Sequence, residues 1–81
     1  MKILIKASEE NKKRKYTCTY RISQVWYEDG QEVDRDTWEE TRTATTTNPL
    51  FAQSKIEVRL EREYGSKTGE HELELELLSC K

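Results

Sequence analysis

Between residues 16 and 26 the chain alternates: Tyr16, Cys18, Tyr20, Ile22 and Trp26 occupy even positions, with Thr17, Thr19, Arg21 and Ser23 between them. A period of two sends one row of side chains to each face of a strand, and β-branched and aromatic residues suit a pleated, half-buried surface. At Glu28-Asp29-Gly30-Gln31 the pattern breaks on a residue pair that tolerates positive φ, so 15–46 reads as one β-hairpin. Its second arm holds Trp38 but is rich in threonine and poor in aliphatics, which predicts an exposed, edge-like strand.

After Thr47 the character changes. Asn48 is a favoured N-cap and Pro49 a favoured first helical residue, because its missing N–H would find no partner there anyway. Ala52, Ile56, Leu60 and Tyr64 then recur every four residues, Arg59 and Glu63 stand at pairing distance on one helix face, and Gly65 falls where a left-handed cap is wanted. Against this, Ile56, Val58 and Leu60 also alternate, and with 65–69 as a loop they could form a hairpin with the segment that follows. The two terminal signals together favour a helix over 49–64.

The span 70–78 alternates cleanly, with Leu73, Leu75 and Leu77 on one face and Glu72, Glu74 and Glu76 on the other. A strand with one apolar and one charged face belongs in an antiparallel sheet covered on one side, and a single helix packing Ala52, Ile56 and Leu60 against the leucines is enough cover. Residues 1–7, aliphatic at Ile3, Leu4 and Ile5, read as a short first strand, followed by a polar loop to Arg14. The expected fold is α+β, a small antiparallel sheet of about four strands in the order β-β-β-α-β with one helix on one face.

A chain of 81 residues makes one domain. Such a domain is stable by roughly 5 kcal/mol or somewhat more. Only 33% of residues are hydrophobic and 37% are charged, which tends towards disorder, but two Trp, four Tyr and regular alternation argue for a folded chain with a thin core. Net charge is only −2, yet it is segregated. Lys12, Lys13, Arg14 and Lys15 form a basic run, while Glu28, Asp29, Glu32, Asp34, Asp36, Glu39 and Glu40 face the single base Arg35. No signal peptide or spanning segment is evident, so a cytoplasmic protein without membrane contact is expected.

Two cysteines, Cys18 and Cys80, match no zinc spacing and are expected to be reduced thiols; a disulfide would need the last strand to lie beside the first arm of the hairpin. Nothing in the chain specifies catalysis or a cofactor. The lone His71 sits at the start of the last strand as a partly exposed edge residue, and Cys18 has no histidine within local reach. Asp34 and Asp36 share a face and could resemble a carboxylate dyad or magnesium site, but no third ligand follows at suitable spacing. The three glycines form no phosphate loop.

In size and layout the segment 41–78, a polar strand, a capped helix and a closing alternating strand, resembles small phage-encoded accessory proteins, including anti-CRISPR inhibitors. That resemblance implies a compact, non-enzymatic protein that occupies a surface on a larger machine, and it carries no individual residue over. The residues themselves point to a protein partner with a basic surface, met by Asp34, Asp36, Glu39 and Glu40 with Trp38 and Tyr27 as aromatic anchors. The alternative is a single-stranded nucleic-acid module stacking bases on Tyr16, Tyr20 and Trp26, with Lys12 to Lys15 on the phosphates. Either fits a monomer or a homodimer.

Overall fold

The structure, a computed structural model, describes residues 12–81. It is α+β: β1 (Arg14–Glu28), β2 (Gln31–Thr46), α1 (Pro49–Tyr64) and β3 (His71–Cys80). The strands form one antiparallel sheet in the order β2-β1-β3. The described residues hold three strands where about four were expected; the strand read over 1–7 lies outside them.

β1 takes the centre because its even face is the most apolar row in the chain: Tyr16, Cys18, Tyr20 and Ile22 are all buried. The turn to β2 uses Asp29 (φ 52°) and Gly30 (φ 78°), the pair of positive φ values that matches the twist of a two-residue hairpin. Among the described residues β2 is an edge strand, as its composition predicts. Val33 forms a bulge between the pairs Trp26↔Asp34 and Tyr27↔Glu32, so the faces exchange parity near the tip.

α1 starts where the sequence places it. Asn48 Oδ1 accepts from the Phe51 backbone N–H at 2.9 Å, and Pro49 opens the first turn. At the other end the expected left-handed cap is absent: Gly65 has φ −68°, and its N–H donates to the Glu61 carbonyl at 2.8 Å. Glycine is needed there for space, since a Cβ would collide with the Glu61 carbonyl oxygen. The expected Arg59–Glu63 pair does not form either, because both side chains reach β2 instead: Arg59 donates to the Thr43 carbonyl and Glu63 accepts from Arg42.

Ala52, Ile56 and Leu60 are fully buried against Tyr16, Cys18, Tyr20, Ile22 and Ala44, so the helix lies over β1 and β2. Each of the larger side chains contributes about 2 kcal/mol relative to exposure. Packing against the leucine row of β3 was expected to dominate; Leu73 and Leu75 only flank the core, and Leu77 is exposed. On the other face of the sheet Val25 is buried between Arg35 and Glu72, its neighbours across the strands.

The cysteine expectation is overturned: Cys18 and Cys80 form a disulfide. β3 lies beside the first arm of the hairpin, and a bulge at Leu78 puts Cys80 opposite Cys18. Without that extra residue, strict alternation from Leu73, Leu75 and Leu77 would send Cys80 to the glutamate face.

Candidate functional site

On the face of the sheet away from α1, arginines and glutamates cross-link the strands. Arg21 on β1 reaches Glu76 at 2.9 Å and Glu39 at 3.6 Å; Arg35 on β2 reaches Glu32 at 2.7 Å and Glu74 at 2.9 Å. Hydroxyl pairs Thr19–Thr41 and Ser23–Thr37, each 2.9 Å apart, lie in the same rows. A shallow groove of about 350 Å³ runs between the two arginines over Ser23 and Thr37. Each guanidinium already holds two carboxylates, so the groove presents no free cation to an anionic ligand.

A third such group ties β2 to the helix. Arg42 binds Glu40 at 2.7 Å and Glu63 at 2.6 Å, while Trp38 Nε1–H donates to Glu40 at 2.8 Å. Burial alone would raise the Glu40 carboxyl; hydrogen bonds from Tyr64, Trp38 and Arg42 outweigh it and hold the group at about 2. The Trp38 ring meets Tyr64 edge-on at 5.1 Å between centroids. Nearby, the Tyr20 hydroxyl donates to Glu57 at 2.7 Å, and burial together with that carboxylate pushes the phenol well above its ordinary range.

The outer part of the hairpin differs. Glu28, Asp29, Asp34 and Asp36 are exposed and belong to no ion pair among the described residues. Asp34 Oδ1 accepts only from the Arg35 backbone N–H, at 2.8 Å. Trp26 is half-buried against His71, with ring centroids 5.2 Å apart, and His71 Nε2–H donates to the Tyr64 carbonyl at 2.7 Å. His71 therefore clamps the end of the helix to the sheet. Tyr27 projects from the opposite face, where partial burial and the carboxylates of Glu72, Glu74 and Glu32 raise its hydroxyl.

The six residues singled out in the sequence are thus divided. Asp34 and Asp36 share the helix-side face beyond the helix, in register with Trp26 and Gln24. Trp38 and Glu40 lie on that face too, but inside the packed network. Glu39 stands on the opposite face, held by Arg21, and Tyr27 is on that opposite face as well. The period of two separates 34, 36, 38 and 40 from 39 along β2; Tyr27 is parted from them by the Val33 bulge, because the turn pairs Tyr27 with Glu32 and strict alternation would place it on the even face of β2. The aromatic row is divided too: Tyr16 and Tyr20 are buried, at 8% and 1% exposure, and offer no face to a base.

A surface that the sequence reading passed over lies on the outside of α1. Leu50, Phe51 and Val58 are exposed there, at 71%, 55% and 44%, beside Lys55, Arg59 and Arg62. Ser54, Lys55, Val58, Arg59 and Arg62 line a groove of about 340 Å³. Its signal was available as the exposed side of the same four-residue repeat that marks the core stripe. No helix among the described residues is long and apolar enough to cross a membrane. No family model matches the chain, and no match was found among curated proteins or solved structures.

Proposed function

We propose that the protein is a non-enzymatic binding module whose hairpin occupies a basic, nucleic-acid-binding surface of a larger protein, in the manner of the small phage-encoded inhibitors its layout resembles. One observation carries this reading: the arginines of the sheet take up six glutamates in ion pairs, whereas Glu28, Asp29, Asp34 and Asp36 on the projecting hairpin are left unpaired among the described residues. Their field suits a lysine- and arginine-lined groove and competes with its phosphate ligand. Asp34 and Asp36 make the contact, with exposed Val33 next to Asp34 in the chain; Tyr27 projects from the other face of the sheet. A cytoplasmic setting is part of the proposal.

Affinity capture from a nuclease-treated lysate tests the reading. The wild-type chain is expected to retain a nucleic-acid-binding protein that is released by added salt or DNA. Asp34→Lys with Asp36→Lys should slow association about tenfold, while Lys12→Glu with Lys13→Glu changes little. Equal retention by the acid-reversed variant, or retention of nucleic acid alone, overturns it.

A further inference from the structure

The hairpin outruns the helix that covers it. α1 ends over Gln24 and Trp38, where Gln24 Nε2–H donates to the Tyr64 carbonyl at 3.0 Å and the Trp38 ring meets Tyr64. Past that point the same face of the sheet continues from Gln24 to the turn at Asp29, about 17 Å at roughly 3.3 Å per residue. It carries Glu28, Asp34 and Asp36 around the half-buried Trp26.

Among the described residues the outer face of α1 is also uncovered, and it carries three cations, with Glu61 exposed near Val58. Exposed Leu50, Phe51 and Val58 stand among Lys55, Arg59 and Arg62. Lys55 and Arg59 reach only backbone carbonyls, those of Thr45 at 3.5 Å and Thr43 at 3.2 Å, and Arg62 joins no ion pair among the described residues. α1 is about 24 Å long at 1.5 Å per residue, so the uncovered sheet spans about two thirds of it.

We infer that these two surfaces cover each other between copies, in a twofold antiparallel dimer. The outer hairpin of each copy lies on the other's helix, setting Asp34 and Asp36 against Lys55 and Arg62, and Trp26 and Val33 against Phe51 and Val58. The arrangement closes on itself and uses each patch twice, which is how a small surface reaches the roughly 1,000 Å² a specific interface needs. An anionic membrane or a nucleic acid fits the helix face alone and is repelled by the acidic face next to it. A basic protein fits the hairpin alone. A second copy answers both surfaces at once, and it competes with any foreign partner for Asp34 and Asp36.

Sedimentation equilibrium of the 9.6 kDa chain at low salt decides the matter. A dimer is expected, weakening about tenfold or more as sodium chloride rises from roughly 50 to 500 mM. Asp34→Lys with Asp36→Lys should be monomeric, as should Lys55→Glu with Arg62→Glu. An equimolar mixture of the two variants should recover dimer mass, because in that heterodimer both contacts again pair opposite charges. Phe51→Ser, at an exposed position, should weaken the wild-type dimer without unfolding the chain, which circular dichroism checks. A wild-type monomer at about 1 mM overturns the inference; so does a dimer that both charge reversals leave intact. A monomer that binds phosphatidylserine vesicles through Lys55 and Arg62 overturns it too and assigns the helix face to a membrane surface. The helix variant separates this inference from the docking proposal: it removes the dimer and leaves the hairpin free to capture a basic protein.

Discussion

The two halves of the hairpin share their strands and, apart from the bulge at Val33, their alternating pattern, yet they are stabilised in different ways. In the inner half the even face of β1 lies under Ala52, Ile56 and Leu60, Cys18 is joined to Cys80, and Arg42 holds Glu40 and Glu63 together across β2 and the helix. In the outer half the same face has no cover, and its acids are unpaired among the described residues. Strand geometry therefore extends beyond the core that stabilises it, carried by backbone pairing with the inner half. Stability and recognition are separated along a single element, which frees the outer residues to be chosen for charge.

The contrast is broken most severely through the crosslink. The disulfide closes a sequence separation of 62 residues. In the chain-entropy account that loop contributes about 4 kcal/mol, most of what a domain this small has. Reduction, or Cys18→Ala with Cys80→Ala, should lower the thermal midpoint by about 15–25 °C in a calorimetric melt. A shift of only a few degrees would show that the helix and sheet hold the inner half without it.

Acid should loosen the inner half next. The Glu40 carboxyl is depressed from 4.5 to about 2 in the folded chain, so its contribution is fully present above about pH 4.5 and is lost as pH falls through about 2. After allowance for its partial solvent contact the effect is up to about 2 kcal/mol. Urea titrations across that range check it, and Glu40→Gln should flatten the dependence.

At the outer half the smallest effect is expected. Val33, 57% exposed at the bulge, has almost no burial to lose within one copy, so in the Lys55→Glu, Arg62→Glu monomer Val33→Ala should change stability by less than about 0.5 kcal/mol in the same titrations. In the wild-type chain the cost should be larger, because the dimer packs the outer hairpin, and an equally small change there would count against that packing.

What the sequence determined by itself is local. Alternation over 16–26 and 70–78, the Asp29-Gly30 turn, and Asn48-Pro49 before a four-residue repeat each act within a few residues, so β1, β2, α1 and β3 fall where the pattern puts them. The candidate site was legible only as a run of acids; the parity that splits Asp34 and Asp36 from Glu39 was present in the same pattern, but not which acids an arginine would neutralise. That was decided by tertiary structure, because Arg21 meets Glu76, Arg35 meets Glu74 and Arg42 meets Glu63 across gaps that close only when the elements pack. So was the disulfide. β1 has two edges, β2 takes one through the turn, and β3 takes the other; a single extra residue at Leu78 then turns Cys80 to the face of Cys18. A one-residue bulge has almost no signature in an alternating sequence, yet it reverses the face of every side chain beyond it.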